Sequence, residues 1–167
     1  MTRILGIDPG LADTGIGVIE TDGTRWHHLH HECIHTTSGL AMGVRLQAIY
    51  EAVVAVIRRY EPQQAGIETL FFARNTTSAL PVAQARGVVM LALQQHGVVI
   101  GEYNPQAIKQ ALVGYGKAEK QQVQHMVRVL LGLKAIPSSN HAADALAAAI
   151  CHANTAVFLS AAGGTIR

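Results

Sequence analysis

The spacing of apolar residues along the chain predicts strands first and a long helix after them. Short apolar runs separated by polar turns indicate three strands of an antiparallel meander, at 3–8, 15–20 and 26–35. Apolar residues then recur at helical spacing from residue 40 to residue 60. Arg58 and Arg59 suit the negative end of that helix, and Pro62 closes it.

The rest of the chain alternates strands with helices. Further strands are predicted at 65–70 and 98–102, and further helices at 78–95, 105–113, 118–131 and 141–154. The connection through the first long helix allows the fourth strand to lie parallel to the first by a right-handed crossover. The pattern therefore predicts an α/β fold built on a mixed sheet of five strands flanked by helices.

Two segments of this pattern carry further expectations. The helix at 78–95, with Pro81 expected in its first turn, is apolar nearly all the way round. Such a helix is buried on more than one side, which suggests a partner subunit as well as the sheet. Residues 155–167 contain a Gly-Gly pair and no periodicity. We therefore expect one domain over 1–154 and a loose C-terminal tail over 155–167.

Composition restricts the class of protein. With 49% hydrophobic and 14% charged residues in 167, the chain can build one sizeable core. Cys33 and Cys151 stand far apart and form no CxxC pair, so neither a disulfide nor a zinc site is expected. Asp8 interrupts the N-terminal apolar stretch, and no run approaches the roughly 18 apolar residues of a membrane span. These features predict a cytosolic protein with no membrane partner.

The distribution of charge says more than the formal net charge of +2. Between Thr69 and Lys134 there are seven basic and two acidic residues, so this segment is basic and the remainder acidic. A basic surface beside a few acids is expected where phosphates bind around a metal site. A solvated helix face would give the same composition, and charge alone leaves both interpretations open.

Three of the eleven acidic residues stand in apolar surroundings: Asp8 after ILGI, Glu68 after AGI, and Asp144 within HAADALAAAI. An ionised carboxylate in such a place is costly unless it is paired or binds a metal. Asp8 and Glu68 are expected at the carboxyl ends of adjacent parallel strands, where open sheets place their sites. His141 lies three residues before Asp144 on a predicted helix, so both side chains point the same way.

If the last helix packs across that edge of the sheet, the oxygen and nitrogen ligands of these four residues converge. Such a set suits two hard divalent cations about 3.5–4 Å apart, which is the arrangement used for phosphodiester hydrolysis. The His27–His31 run, HHLHH, is a second candidate for metal binding. Side chains alternate faces along a strand, however, so these imidazoles cannot all converge, and we interpret the run as a polar strand face.

Six blocks of sequence resemble, in order, the RuvC family of Holliday junction resolvases: GIDPG (6–10), IETLFFARN (67–75), QARG (84–87), IKQ (108–110), VGYGKAEKQQVQHMV (113–127) and HAADALAAAI (141–150). The resemblance runs from about residue 3 to residue 152. It implies a ribonuclease-H-like fold and a homodimer that uses Mg²⁺ or Mn²⁺. It also implies paired symmetric nicks across four-way junction DNA in recombination and repair, and the RuvA–RuvB branch-migration complex as a partner.

Carried over residue by residue, the resemblance makes Asp8, Glu68, His141 and Asp144 both the catalytic and the metal-binding residues. Many members of the family have Asp where this chain has His141, so the chain departs from a set of four carboxylates. One nitrogen ligand in place of an oxygen shifts the preference from Mg²⁺ towards Mn²⁺. The alternative is that His141 begins the helix and binds no metal.

The resemblance also suggests contacts with DNA, at Phe71, Arg74, Lys109, Gly114, Gly116, Lys117 and Lys120. Phe71 matches an aromatic residue placed at the junction centre, where stacking on unpaired bases contributes about 1–3 kcal/mol. Lys109 and Lys120 match basic positions near the scissile phosphate. Burial of the ring, solvated lysines and a plain glycine turn are the structural alternatives.

Other functions fit parts of the same sequence. GIDPGLADTG is also similar to the phosphate loop of actin-like kinases and ATPases, although those enzymes use two such lobes. Another ribonuclease-H-like nuclease, acting on RNA–DNA hybrids or as a transposase, would share the acidic residues but not the block at 113–127. A non-catalytic junction-binding module would have no need of the three carboxylates together.

Overall fold

The computed structural model describes residues 1–69 and 76–161, with side chains described except at 76–78 and 156–161. Its elements are, in chain order, β1 (Thr2–Asp8), β2 (Asp13–Thr21), β3 (Trp26–His35), α1 (Met42–Tyr60), β4 (Gln64–Glu68), α2 (Thr76–Gln95), β5 (Val99–Tyr103), α3 (Pro105–Val113), α4 (Lys120–Leu130) and α5 (Asn140–Ala161). The order of strands and helices is the predicted one.

The five strands form one mixed sheet in the order β3-β2-β1-β4-β5. The first three form an antiparallel meander, and β4 pairs parallel to both β1 and β5. Ile7 is the partner of Ile67 in the β1–β4 register, so these two parallel strands end side by side. The predicted mixed sheet and the predicted parallel crossover are confirmed.

Helices cover both faces of the sheet and divide the core in two. On one face α1 and α2 pack through residues such as Val53 and Val89, which are fully buried. On the other face α5 lies directly on the sheet, and α3 and α4 pack against it through residues such as Ile108 and Val127. The helix that carries His141 and Asp144 is therefore the central helix of its layer.

Glycines on the strands let α5 approach the sheet closely. A Cβ atom added at Gly6 of β1 would lie 1.8 Å from the carbonyl oxygen of Ala145, and one added at Gly15 of β2 would lie 1.9 Å from that of His141. No side chain fits at such distances from a backbone atom. The alanine-rich sequence of α5 is the matching half of this contact, which holds the N-terminal turns of the helix beside the end of β1.

His152 of α5 is fully buried and tied to the sheet by two hydrogen bonds. Its Nε2 lies 2.9 Å from Oε1 of Gln64, an acceptor, so Nε2 carries the proton and donates. Its Nδ1, 3.0 Å from the Tyr103 hydroxyl, then accepts. Burial lowers the pKa of His152 to about 4, so the imidazole is neutral at physiological pH.

Several boundaries differ from the prediction. Helix α5 continues to Ala161, so residues 155–161 are helical rather than loose, and the rest of the predicted tail lies outside the described residues. Helix α2 begins at Thr76, which places Pro81 in the second turn, where a proline lacks the N–H for its helical hydrogen bond and its ring crowds the carbonyl four residues earlier. Helix α4 begins two residues later than predicted because Glu119 is its N-cap in a capping box.

Strand β3 departs from strict alternation. Val18 pairs with His30 and Ile19 with His28, which leaves Leu29 as an extra residue in a bulge. The bulge brings His28 and His31 together, with Nε2 of the first 2.8 Å from Nδ1 of the second. Burial lowers the pKa of both imidazoles, and the charge of His30 adds to the effect on each of them. The sequence predicted only that the imidazoles of His27–His31 do not all converge, and the bulge explains why this one pair meets.

None of the helices in the described ranges is long and apolar enough to span a lipid bilayer.

Candidate active site

Asp8 and Glu68 are the last residues of two neighbouring parallel strands, β1 and β4. Each follows a fully buried isoleucine, so the chain leaves the core at the residue that carries the carboxylate. Both side chains are half-buried at the carboxyl edge of the sheet. This is the position expected from the sequence, and it brings two anionic groups to one edge.

Helix α5 adds His141 and Asp144 to the same edge. Nδ1 of His141 lies 2.8 Å from Oδ2 of Asp8, which joins the first turn of the helix to the end of β1. Oδ2 of Asp144 accepts a hydrogen bond of 2.7 Å from the Lys120 ammonium of α4. The one-turn spacing of His141 and Asp144 therefore places both of them in the site.

The carboxyl groups repel one another and are partly removed from water. Burial raises the pKa of Glu68 to about 7, and the charges of Asp8 and Asp144 add to this effect. Burial also raises the pKa of Asp8, although the hydrogen bond from His141 opposes the shift. Such mutual repulsion is relieved by a bound cation, and shifted carboxyl groups at the edge of a sheet are typical of functional sites.

The four side chains at this edge are of the kinds that bind divalent cations. Three carboxylates and one imidazole surround the edge, and oxygen donors of this kind are preferred by Mg²⁺ and Mn²⁺. In the described part of the chain these four residues do not bring three ligand atoms within 4.8 Å of one another.

A cleft of about 190 Å³ opens beside the carboxylates. Glu68 and Asp144 line one part of it, and Lys109 and Lys120 line another. Cations next to carboxylates in one cleft can bind a phosphate while the carboxylates bind metal. Both lysines, predicted from the sequence to lie near the scissile phosphate, line the same cleft as Glu68 and Asp144.

The model of the family Crossover junction endodeoxyribonuclease RuvC matches residues 4–152 of the chain. The chain belongs to the RuvC family. It is 52% identical over 151 residues to the RuvC protein of Treponema denticola, covering 90% of this chain and 85% of that one. It is 48% identical over 163 residues to the RuvC protein of Desulfitobacterium hafniense, covering 98% and 99%.

A solved structure of T. thermophilus RuvC in complex with a Holliday junction substrate shares the fold. Its TM-score is 0.91 at 38% sequence identity, over 95% of this chain and 96% of that one. The fold is therefore ribonuclease-H-like, as the resemblance of the sequence to the RuvC family implied. The recognition of the family from six ordered blocks is confirmed.

Of the remaining residues expected to contact DNA, Gly114, Gly116 and Lys117 lie in the connection between α3 and α4. Phe71 and Arg74 fall outside the described residues, so their roles stay predictions. Lys117 is exposed in the connection between α3 and α4. Gly114 has φ of 89° and caps α3 by donating its N–H to the Gln110 carbonyl, so a helix-ending role accounts for its presence. A Cβ atom added at Gly116, in the same connection, would lie 3.4 Å from Cβ of Gln106, which is an ordinary van der Waals contact.

The structure assembles one cluster that the sequence did not predict, formed by Asp13, Cys33 and His35. Asp13 begins β2, whereas the other two end β3, so pairing of the strands brings them together. The signal in the sequence was weak, since it consists only of a cysteine and a histidine two residues apart, on one face of a predicted strand.

Proposed function

We propose that this protein is a metal-dependent endonuclease that resolves Holliday junctions by paired symmetric nicks in DNA recombination and repair. The observation that carries the proposal is the meeting of Asp8, Glu68 and Asp144 at one edge of the sheet in a chain of the RuvC family. The RuvC family model matches residues 4–152 of the chain. This match favours the proposed function over a single-lobe ATPase, a different ribonuclease-H-like nuclease or a non-catalytic binding module.

In this proposal Asp8, Glu68, His141 and Asp144 hold two divalent cations, Mg²⁺ or Mn²⁺. Bound there, the cations would activate water for attack on the phosphodiester and stabilise the charge on the leaving oxygen. Asp8 and Glu68 come from adjacent rigid strands, which fixes the distance between their carboxylates. The hydrogen bond between His141 and Asp8 orients both side chains before DNA binds.

The lysines of the cleft would bind the phosphate that is cut. Lys120 holds Asp144 through its ammonium group, and the same group lies where a non-bridging phosphate oxygen would approach the carboxylates. Lys109, on α3, lines the same cleft as Glu68 and adds a second positive charge. Phosphate binding by these side chains would position the backbone without reading the sequence of the bases.

We also propose a homodimer, because two symmetric nicks on a two-fold junction require two active sites related by the same symmetry. The surface that supports this lies on α2. Its core-facing residues Val89 and Leu93 are fully buried, whereas Leu80 and Leu91 are 66% and 52% exposed in the single chain. Packing of two copies through this face would remove apolar surface from water.

The cellular context is proposed from the organisms of the relatives. The relatives in Treponema denticola and Desulfitobacterium hafniense are bacterial, so we place the protein in the bacterial cytosol with the chromosome. Membership of the family is the basis on which we propose the RuvA–RuvB branch-migration complex as a partner.

The test is cleavage of a synthetic immobile four-way junction, with a fork and a linear duplex of the same sequence as competing substrates. With Mg²⁺ or Mn²⁺ the protein is expected to make two nicks placed symmetrically on the junction. Asp8→Asn and Glu68→Gln are expected to abolish nicking while junction binding persists, since affinity comes mostly from phosphate contacts.

The matched control is Glu51→Gln, which removes the same charge from an exposed position on α1. It is expected to cut like the parent. Equal nicking rates for Glu68→Gln and the parent, or equal cutting of junction and duplex by the parent, would contradict the proposal. A protein that sediments as a monomer and makes a single nick in each junction would contradict the proposed dimer.

A further inference from the structure

Asp13, Cys33 and His35 bring three different metal-binding atoms within 4.8 Å of one another. Nδ1 of His35 lies 2.5 Å from Oδ1 of Asp13. Sγ of Cys33 lies 3.9 Å from the same oxygen and 4.0 Å from the same nitrogen. The three atoms therefore form a triangle with one thiol, one imidazole and one carboxylate at its corners.

Backbone pairing, rather than chance contact of surface side chains, holds this triangle. Asp13 and His35 are direct partners in the β2–β3 register, and Cys33 precedes His35 by two residues, on the same face of its strand. Cys33 pairs with Gly15 of β2, and the backbone of His141 packs against Gly15. The side chain of Cys33 therefore lies on the face of the sheet that α5 covers. The scaffold of the triangle is as rigid as the sheet itself.

Small movements of the three side chains would allow them to bind an ion with tetrahedral coordination. In a tetrahedral zinc site, bond lengths of 2.0–2.3 Å separate the ligand atoms from one another by about 3.3–3.6 Å. Each observed separation differs from that range by less than about 1 Å. The side chains of Asp13 and His35 are 38% and 73% exposed, so both have freedom to move and an ion can reach them from solvent.

We propose that Asp13, Cys33 and His35 form a binding site for a borderline-soft divalent transition metal ion, with Zn²⁺ as the expected occupant. Thiolate and imidazole ligands select such ions, whereas Mg²⁺ and Ca²⁺ take oxygen ligands almost entirely. Three protein ligands leave the fourth position open to solvent. A bound ion cross-links β2 to β3 at the end of the sheet beside the first turn of α5.

This site lies beside the proposed nuclease centre, since Gly15 pairs with Asp8 on one side and with Cys33 on the other, and the proposal goes beyond the nuclease function. It shares no residue with Asp8, Glu68, His141 and Asp144, and its thiol gives it a spectroscopic signature that oxygen ligands lack. Failure of one proposal therefore leaves the other standing.

The experiment uses Co²⁺, which takes the same ligands as Zn²⁺ and is coloured. Metal-free full-length protein, kept reduced, is titrated with Co²⁺ while the thiolate-to-cobalt charge-transfer band and the visible d–d bands are recorded. One equivalent of Co²⁺ is expected to saturate the thiolate band, and Zn²⁺ is expected to displace it. Zn²⁺ is also expected to raise the Tm of the parent, since a ligand that binds only the folded state stabilises it.

Variants assign the band to its ligands. Cys33→Ser is expected to lose the band and the Zn²⁺-dependent rise in Tm, whereas the matched control Cys151→Ser keeps both, because that thiol is buried elsewhere in α5. His35→Ala and Asp13→Asn are each expected to weaken Co²⁺ binding by at least about 10-fold. A double His28→Ala, His31→Ala variant is expected to keep the band, which separates the site from the neighbouring imidazole pair.

The nuclease variant carrying Asp8→Asn and Glu68→Gln is also expected to keep the thiolate band. Absence of the band from the parent at one equivalent of Co²⁺ would overturn the proposal. Persistence of the band in Cys33→Ser, or its loss in either the Asp8–Glu68 variant or the His28–His31 variant, would overturn it as well. Circular dichroism of each variant checks that the fold is retained.

Discussion

Neutralising Glu68 is expected to stabilise the metal-free protein while it abolishes cleavage. Its pKa is raised from 4.5 to about 7, first by burial and then by the charges of Asp8 and Asp144. The folded protein thus holds this proton more tightly than the unfolded chain does. Folding is therefore favoured most below about pH 4.5, and stability is lost as the pH rises through about 7. Glu68→Gln removes that loss because the amide never ionises.

The magnitude follows from the shift. A shift from 4.5 to about 7, at 1.36 kcal/mol for each pH unit, sets an upper bound of about 3 kcal/mol. Glu68 is only half-buried, so water screens part of this energy. We expect the variant to be about 1–2 kcal/mol more stable than the parent at about pH 8, and the difference to approach zero near pH 4.5.

The assay is urea denaturation of parent and Glu68→Gln at several pH values, with a chelator present. Glu51→Gln serves as the control for a change of net charge, because Glu51 is exposed on α1. Added Mg²⁺ is expected to reverse the order of stability, since only the parent keeps the full set of carboxylates for the ion. A variant no more stable than the parent at about pH 8, or a gain that grows towards acid pH, would refute the reasoning.

Three further outcomes are expected. Lys120→Met should slow single-turnover nicking of a junction on the order of 100-fold, because a positioned cation beside the reacting phosphate is lost. His141→Asp should raise the ratio of Mg²⁺-supported to Mn²⁺-supported nicking by restoring an all-oxygen set, and an unchanged ratio would show that His141 binds no metal. Tyr103→Phe should cost about 1–3 kcal/mol in urea denaturation by leaving Nδ1 of His152 without its donor, and an equal stability would contradict that hydrogen bond.

Most of the fold could be predicted from local pattern. Strand β3 and helix α3 were predicted to the residue, because the turn at Asp22-Gly23 before the strand and Pro105 at the start of the helix are local signals. The end of α5 was not predicted, because the residues at 155–161 are compatible with a helix and with an irregular segment. Hydrophobic periodicity alone does not distinguish these two conformations. The bulge in β3 was missed for a related reason, because a bulge depends on the partner strand.

The candidate active site was also predictable, and for a physical reason. Asp8, Glu68 and Asp144 each interrupt an apolar segment. Because burying a charge is costly, such residues can be recognised as candidates from the sequence alone. The order of strands and the parallel crossover then place two of them on one edge. The raised pKa of Glu68 was not predictable, because it depends on distances among three elements.

The sequence by itself determined the order of strands and helices, the mixed sheet, the family and the identity of the candidate carboxylates. Each of these depends on residues close together in the chain or on sequence blocks in a fixed order. Only the tertiary structure decided that Gly6 and Gly15 admit α5 onto the sheet, and that Lys120 holds Asp144. It alone joined Asp13 to Cys33 and His35, which the sequence had given no reason to connect. The physical reason is the same in each case: these contacts join residues distant along the chain, and their distances are set by strand register and helix packing.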